Sequence, residues 1–184
     1  IPDVSNLFYP SLIRGVSDYL DENGYSLCLS NSDSDPKKEK NHLLSMVDLR
    51  VDGVILCSGV SNENFLAQYR KYNVPIVFIG RTFDIHLSDG SITGDNTKGA
   101  EMAMKHLLSS GNRRIIYLDG NAGVSGAIQR YEGYRQALMQ AGIELDESLV
   151  HFGDFTIEFG QTKLEELIRS GVKFDAVFAG SDLI

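Results

Sequence analysis

Cysteine is scarce in this chain: its 184 residues hold two, Cys28 and Cys57, each within an apolar run that reads as strand. Without any framework spacing they are expected to be buried free thiols rather than a disulfide. Long apolar runs are missing as well, and none approaches the ~20 residues a membrane-crossing helix needs. The opening residues Ile1-Pro2-Asp3-Val4-Ser5-Asn6 contain neither a basic nor an apolar stretch, so no secretory signal is expected and a cytoplasmic location is. Positive charge is also short, with 17 Lys and Arg against 25 Asp and Glu, a formal net charge of −8. Contact with a phosphate backbone needs clustered cations, and the only clusters are Lys37-Lys38 with Lys40, and Arg113-Arg114. The segment does not read as a nucleic-acid binder in its own right.

Familiar reaction and metal motifs fail at particular positions. Gly123-Val124-Ser125-Gly126-Ala127 begins like a nucleophile elbow but lacks the closing glycine. Gly120, Gly123 and Gly126 miss the spacing of a dinucleotide-binding turn. Asn31, Asp33 and Asp35 imitate the first ligands of a calcium loop, yet Pro36 occupies the place of the turn glycine. His42, His86, His106 and His151 are isolated from one another and from the cysteines, so no metal site is expected. Neither an enzymatic activity nor a cofactor is expected.

What the chain does have is a rhythm. Leu12, Ile13, Val16, Tyr19 and Leu20 recur at helical spacing with Gly24 as a stop, and Tyr25 to Leu29 reads as a short strand. Asp35-Pro36 starts a helix that carries Leu43, Leu44 and Val47. Strand Val54–Cys57, a helix with Phe65, Leu66 and Tyr69, and strand Ile76–Ile79 follow. A polar stretch from Thr82 to Asp95, with a weak strand at Ser91–Thr93, interrupts the alternation. It resumes with a helix capped by Asn96 and ended by Gly111, strand Ile115–Leu118, and a helix from about Ser125 to Ala141 closed by Gly142. A short strand near Val150, a helix from about Ile157 to Arg169, and strand Ala176–Ala179 complete it. Such alternation specifies an α/β fold with parallel sheets flanked by helices. Two similar lobes are expected, residues 1–94 and 95–184, joined through Thr93, Gly94, Asp95 and Asn96 as a hinge.

In α/β lobes of this kind ligands bind beyond the carboxyl ends of the strands. Residues expected there are Asn6, Phe8 and Tyr9 before the first helix, then Ser58 and Arg81 after strands. The second half adds the stretch from Asn121 to Arg130, Phe155, Ser181 and Asp182. Aromatic rings cover apolar C–H faces while Arg and Asp hydrogen-bond hydroxyls, a set suited to a sugar or similar polar metabolite.

The sequence also resembles a known family along nearly its whole length. Asp3-Val4-Ser5-Asn6-Leu7-Phe8-Tyr9 looks like the opening D-x-x-N-x-F-F segment of the LacI/GalR regulators, and Arg50-Val51-Asp52-Gly53-Val54-Ile55 like their R-V-D-G-I-I. Asp95-Asn96 through Gly99-Ala100, then His106-Leu107-Leu108 with Gly111 and Arg113-Arg114-Ile115, is similar to their DN-x-x-GA…HL-x-x-x-GHRRI block, with Asn112 in place of the usual histidine. Arg130-Tyr131-Glu132-Gly133-Tyr134, Ala141-Gly142-Ile143 and Gly153-Asp154-Phe155-Thr156 continue the match.

The resemblance implies a two-lobed, periplasmic-binding-protein-like (type I) effector domain, incomplete at both ends and lacking its DNA-binding headpiece. It implies a small effector in the cleft, hydrogen-bonded by Arg130, packed against by Phe8, Tyr9 and Phe155, and lined by Ser181 and Asp182. Where relatives often carry N-D this chain has Ser181-Asp182. Arg81 stands where many carry aspartate, from which a charged or phosphorylated ligand is expected. The implied partners are a second copy of the chain, through helices at about residues 10–22 and 36–49, and operator DNA through the headpiece alone, with no membrane. An exported sugar-binding protein of an uptake transporter shares the fold and is the alternative.

Overall fold

A computed structural model describes residues 1–57, 63–81 and 87–184. The chain divides into two compact units, Ile1–Thr93 and Gly94–Ile184.

The first unit opens with helix α1 (Phe8–Glu22) and helix α2 (Pro36–Asp48). Asp35 caps α2 by accepting from the Lys37 and Lys38 amides at 2.7 and 3.4 Å, and Pro36 supplies a φ suited to the first turn. Strand β1 (Val54–Leu56), helix α3 (Glu63–Tyr69), strand β2 (Ile76–Ile79) and strand β3 (Gly90–Ile92) follow. The three strands are parallel in the order β1-β2-β3, with Val54 opposite Ile76 and Val77 opposite Gly90. Leu43 from α2, Val54 and Leu56 from β1, Leu66 and Tyr69 from α3, Ile76 and Phe78 from β2, and Leu87 form one buried core.

Two expectations fail in this unit. Tyr25–Leu29 forms no strand; Tyr25, Leu27, Cys28 and Leu29 are exposed. A strand needs partner groups along its length, and bonds of that kind occur just beyond this run, where the Ile1 nitrogen donates to the Ser30 carbonyl and the Ser32 amide to the Ile1 carbonyl. Cys28 is therefore an exposed thiol; Cys57 is the buried one, and both are free. Second, α1 begins at Phe8, so Phe8 and Tyr9 form its first turn rather than precede it.

The second unit begins with helix α4 (Asn96–Ser109), strand β4 (Ile115–Asp119) and helix α5 (Ser125–Gln140). The cap of α4 is Asp95, whose carboxylate accepts from the Lys98 amide at 2.8 Å; Asn96 is its first helical residue, a shift of one position from expectation. Strand β5 (Val150–Phe152), helix α6 (Ile157–Arg169) and strand β6 (Ala176–Ala179) complete the unit. All three strands are parallel in the order β5-β4-β6. Central β4 is buried at all five positions, which is why its sequence is a continuous apolar run rather than an alternating one. Alternation of side chains sorts its residues into two cores. Ile115 and Tyr117 pack with Met104 of α4 and with Tyr134, Ala137 and Leu138 of α5. Ile116 and Leu118 pack on the other face with Leu149 and with Leu167 of α6.

Candidate functional site

Beta strand β4 ends in a charged residue. Asp119 shares the face of Ile115 and Tyr117, is fully buried, and has both carboxylate oxygens filled. Oδ1 accepts from Arg130 Nη2 at 2.8 Å and from the Gly120 amide at 2.7 Å. Oδ2 accepts from Arg130 Nε at 2.8 Å and from the Tyr117 hydroxyl at 2.5 Å. Two nitrogens of one guanidinium thus grip one carboxylate, the geometry for which arginine is suited. Burial and the adjacent Asp119 raise the Tyr117 phenol, so it stays protonated and donates. The carboxylate fits only because position 180 is glycine: a Cβ there would lie 2.2 Å from Asp119 Cγ.

Helix α5 carries Arg130 to this point. Its Nη1 donates to Asn96 Oδ1 at 3.0 Å, and Asn96 in turn donates to Gln129 Oε1 at 3.0 Å and to the Gly94 carbonyl at 3.2 Å. Phe155, just before the Thr156 cap of α6, places its ring 5.8 Å from the guanidinium carbon. Three of the five N–H groups of Arg130 are held by protein, and 18% of its side chain stays accessible. The guanidinium is oriented in advance and keeps two N–H donors for an acceptor outside the protein.

The first unit gathers a second polar group around the ends of β1 and β2. Tyr9 from α1 is buried, and its phenol is pushed up to about 12, chiefly by that burial, then by Cys57, with Arg81 opposing. Burial lowers the Arg81 guanidinium, and Glu39 and Tyr9 oppose the shift. Glu39, on α2, is 2% exposed. Cys57, directly after β1, has its thiol raised by burial.

Of the residues expected from sequence, Arg130 and Phe155 come together in the second unit, and Tyr9 and Arg81 influence one another electrostatically in the first. Phe8 meets Tyr9 edge-on at 5.1 Å between centroids but is 60% exposed. Asn6 uses its side-chain oxygen to accept from the Phe8 amide at 3.0 Å, starting α1. Ser181 follows Gly180 and accepts from the Leu183 amide at 3.3 Å, and Asp182 is exposed. Ser58 lies outside the described residues. Thr93 and Gly94 fall at the junction of the two units, with Asp95 and Asn96 already engaged in and beside α4.

Three members of these clusters are not evident from sequence pattern: Asp119, Glu39 and the contact role of Asn96. The one signal for Asp119 is a carboxylate closing the apolar run Ile115–Leu118. Among the described residues no group of His, Cys, Asp and Glu could hold a metal ion, and no helix is long and apolar enough to cross a membrane.

At the carboxyl end of its central strand the second unit sets a guanidinium clamped by a buried carboxylate beside an aromatic ring, and the carboxyl ends of strands are where α/β folds place small-molecule sites. Residues 1–184 match the family of periplasmic binding proteins and the sugar binding domain of the LacI family, and the chain belongs to that family. It is 32% identical over 183 residues to catabolite control protein A of Priestia megaterium, covering 99% of this chain and 55% of the relative. It is 32% identical over 184 residues to the ribose operon repressor of Halalkalibacterium halodurans, covering 100% of this chain and 53% of that protein. A solved complex of the transcriptional regulator CelR with cellobiose superposes with a TM-score of 0.86 at 33% identity, over 97% of this chain and 55% of that one. The chain thus spans about half the length of the curated relatives it matches, and those relatives are transcription regulators.

Proposed function

We propose that this chain is the effector-sensing part of a LacI/GalR-type transcription repressor that works in the cytoplasm, binds a sugar or sugar-like metabolite, and catalyses no reaction. The observation that carries the reading is the pre-oriented Arg130, held by Asp119 and Asn96 and faced by Phe155, with donors to spare. Support comes also from the family match over residues 1–184 and from the cellobiose complex of a relative. In this reading the effector is held by Arg130, Phe155, Ser181 and Asp182 of the second unit and by Asn6, Phe8, Tyr9, Ser58 and Arg81 of the first. The linker from Thr93 to Asn96 serves as hinge. A ligand that binds one arrangement of the two units more tightly than another shifts their equilibrium by that differential affinity. In a homodimer carrying DNA-binding headpieces, such a shift alters the spacing of the headpieces and hence operator affinity.

A thermal-shift screen against sugars and sugar phosphates tests this, because a ligand that binds only the native state raises its melting temperature. Arg130→Ala would leave Asp119 buried and unpaired, at a cost of about 3–5 kcal/mol, so loss of binding and loss of fold would be confounded. Arg130→Lys keeps the charge and loses the two-pronged fork. It is expected to abolish the ligand-induced shift while the unliganded protein still melts cooperatively. A shift of undiminished size in the lysine variant would refute the assignment of Arg130 to the effector.

A further inference from the structure

The charge balance around Arg130 bears on which ligands the site accepts. Every acceptor position of Asp119 is taken from within the protein, two by Arg130 and the others by Tyr117 and Gly120, so this carboxylate offers nothing to a ligand. Its negative charge lies directly beneath the guanidinium at hydrogen-bond distance, with no exposed surface of its own. The pair is therefore neutral, and its field falls off as that of a dipole rather than of a charge. An anion entering such a site sheds hydration that a neutral pair replaces less fully than a net positive charge would. A hydroxyl or ring oxygen sheds far less and takes up the two remaining N–H donors equally well.

We propose that Asp119 sets the charge class of the effector: by neutralising Arg130 from below, it makes the Arg130 subsite select an uncharged polyhydroxyl ligand over its phosphate ester. This deepens the functional reading above and rests on it, since it requires Arg130 to face the effector. Arg81, from which a charged ligand is expected on sequence grounds, also feels a carboxylate within the first unit, where the negative charge of buried Glu39 opposes the effect of burial on it. Asp119 is a positioning and specificity residue that touches the ligand only through Arg130.

The experiment uses the full-length protein and compares ribose with ribose 5-phosphate, glucose with glucose 6-phosphate, and fructose with fructose 1-phosphate, with inorganic phosphate as a separate probe. Calorimetric affinities are measured for the natural sequence, Asp119→Asn and Arg130→Lys. Asp119→Asn keeps the shape and one acceptor oxygen while removing the charge and one prong of the Arg130 fork. It is expected to move the neutral-to-phosphate affinity ratio toward the phosphate by roughly tenfold or more, and to confer saturable binding of inorganic phosphate. An unmoved ratio in a folded Asp119→Asn protein overturns the inference, as does a natural protein that prefers the phosphate ester in the pairs it binds. Should Asp119→Asn fail to fold, the ratio in the natural protein decides. Should no pair bind, inorganic phosphate decides: saturable binding by the natural protein that Arg130→Lys removes overturns the inference, and its absence supports it. Sugar binding that survives Arg130→Lys undiminished refutes the functional reading itself. Loss in Arg130→Lys with an unchanged ratio in Asp119→Asn refutes charge selection alone.

Discussion

His151 shows how a single side chain ties stability to pH. It lies on β5 with Nε2 buried and without a hydrogen-bond partner among the described residues. Burial lowers its imidazole from the ordinary value, Lys163 adds to the effect, and Glu166 and the Ser148 backbone oppose it. The folded protein therefore binds a proton less readily than the unfolded chain, whose histidine titrates near 6.5. Stability is retained above that pH and is lost as pH falls below it, where the unfolded state takes up the proton. The melting temperature is expected to drop between about pH 7 and pH 5.5, and the drop should be smaller in His151→Gln. Identical pH profiles for the two proteins would show that His151 does not contribute. Nothing in the local sequence marks the Nε2 of this histidine as buried and without a hydrogen-bond partner. Both properties depend on where α6 lies against β5.

Helix on helix, the informative residue is Gly133 of α5. A Cβ there would come within 2.4 Å of the Thr97 carbonyl and 2.7 Å of the Ala100 Cβ, so the backbones of α4 and α5 approach closely only because this position has no side chain. Gly99 of α4 is exposed, and a Cβ there meets nothing within 4 Å. The same substitution should therefore act in opposite directions. Gly133→Ala is expected to cost about 1–3 kcal/mol through overpacking, whereas Gly99→Ala should stabilise by roughly 0.5–1 kcal/mol through helix propensity. Urea midpoints measured at constant slope check both. At this scale much was legible. The strands Ile76–Ile79 and Ala176–Ala179 and the helix Ile157–Arg169 follow directly from apolar period and turn chemistry. Tyr25–Leu29 did not, because strand propensity describes a run of residues while a strand also requires a partner to bond with.

For the whole chain, the question is where its few cations go. Lys38 pairs with Asp33, and Lys40 lies 5.2 Å from the centre of the Phe65 ring. Arg114 pairs with Asp146 at 3.0 Å and donates to the Lys173 carbonyl, while Arg113 donates to the Leu108 carbonyl at 2.9 Å. Four of the five clustered cations, Lys38, Lys40, Arg113 and Arg114, thus make contacts within the chain, against a net charge of −8. In a mobility-shift assay near 0.15 M salt the 184-residue chain is expected to leave DNA unretarded, since nonspecific affinity depends on cations free to displace counterions. Retardation that weakens steeply with added salt would contradict this.

Residue order by itself determined the alternation of strands and helices, the parallel α/β class, and the family motifs, because each of these is carried by near neighbours in the chain. It also marked Arg130 and Phe155 as candidates. Tertiary structure alone decided that Arg130 is neutralised by Asp119, 11 residues before it, and steadied by Asn96, 34 residues before it. Hydrogen bonds at that separation leave no periodic trace, since their geometry comes from how β4, α4 and α5 pack and not from the spacing of residues along any one of them.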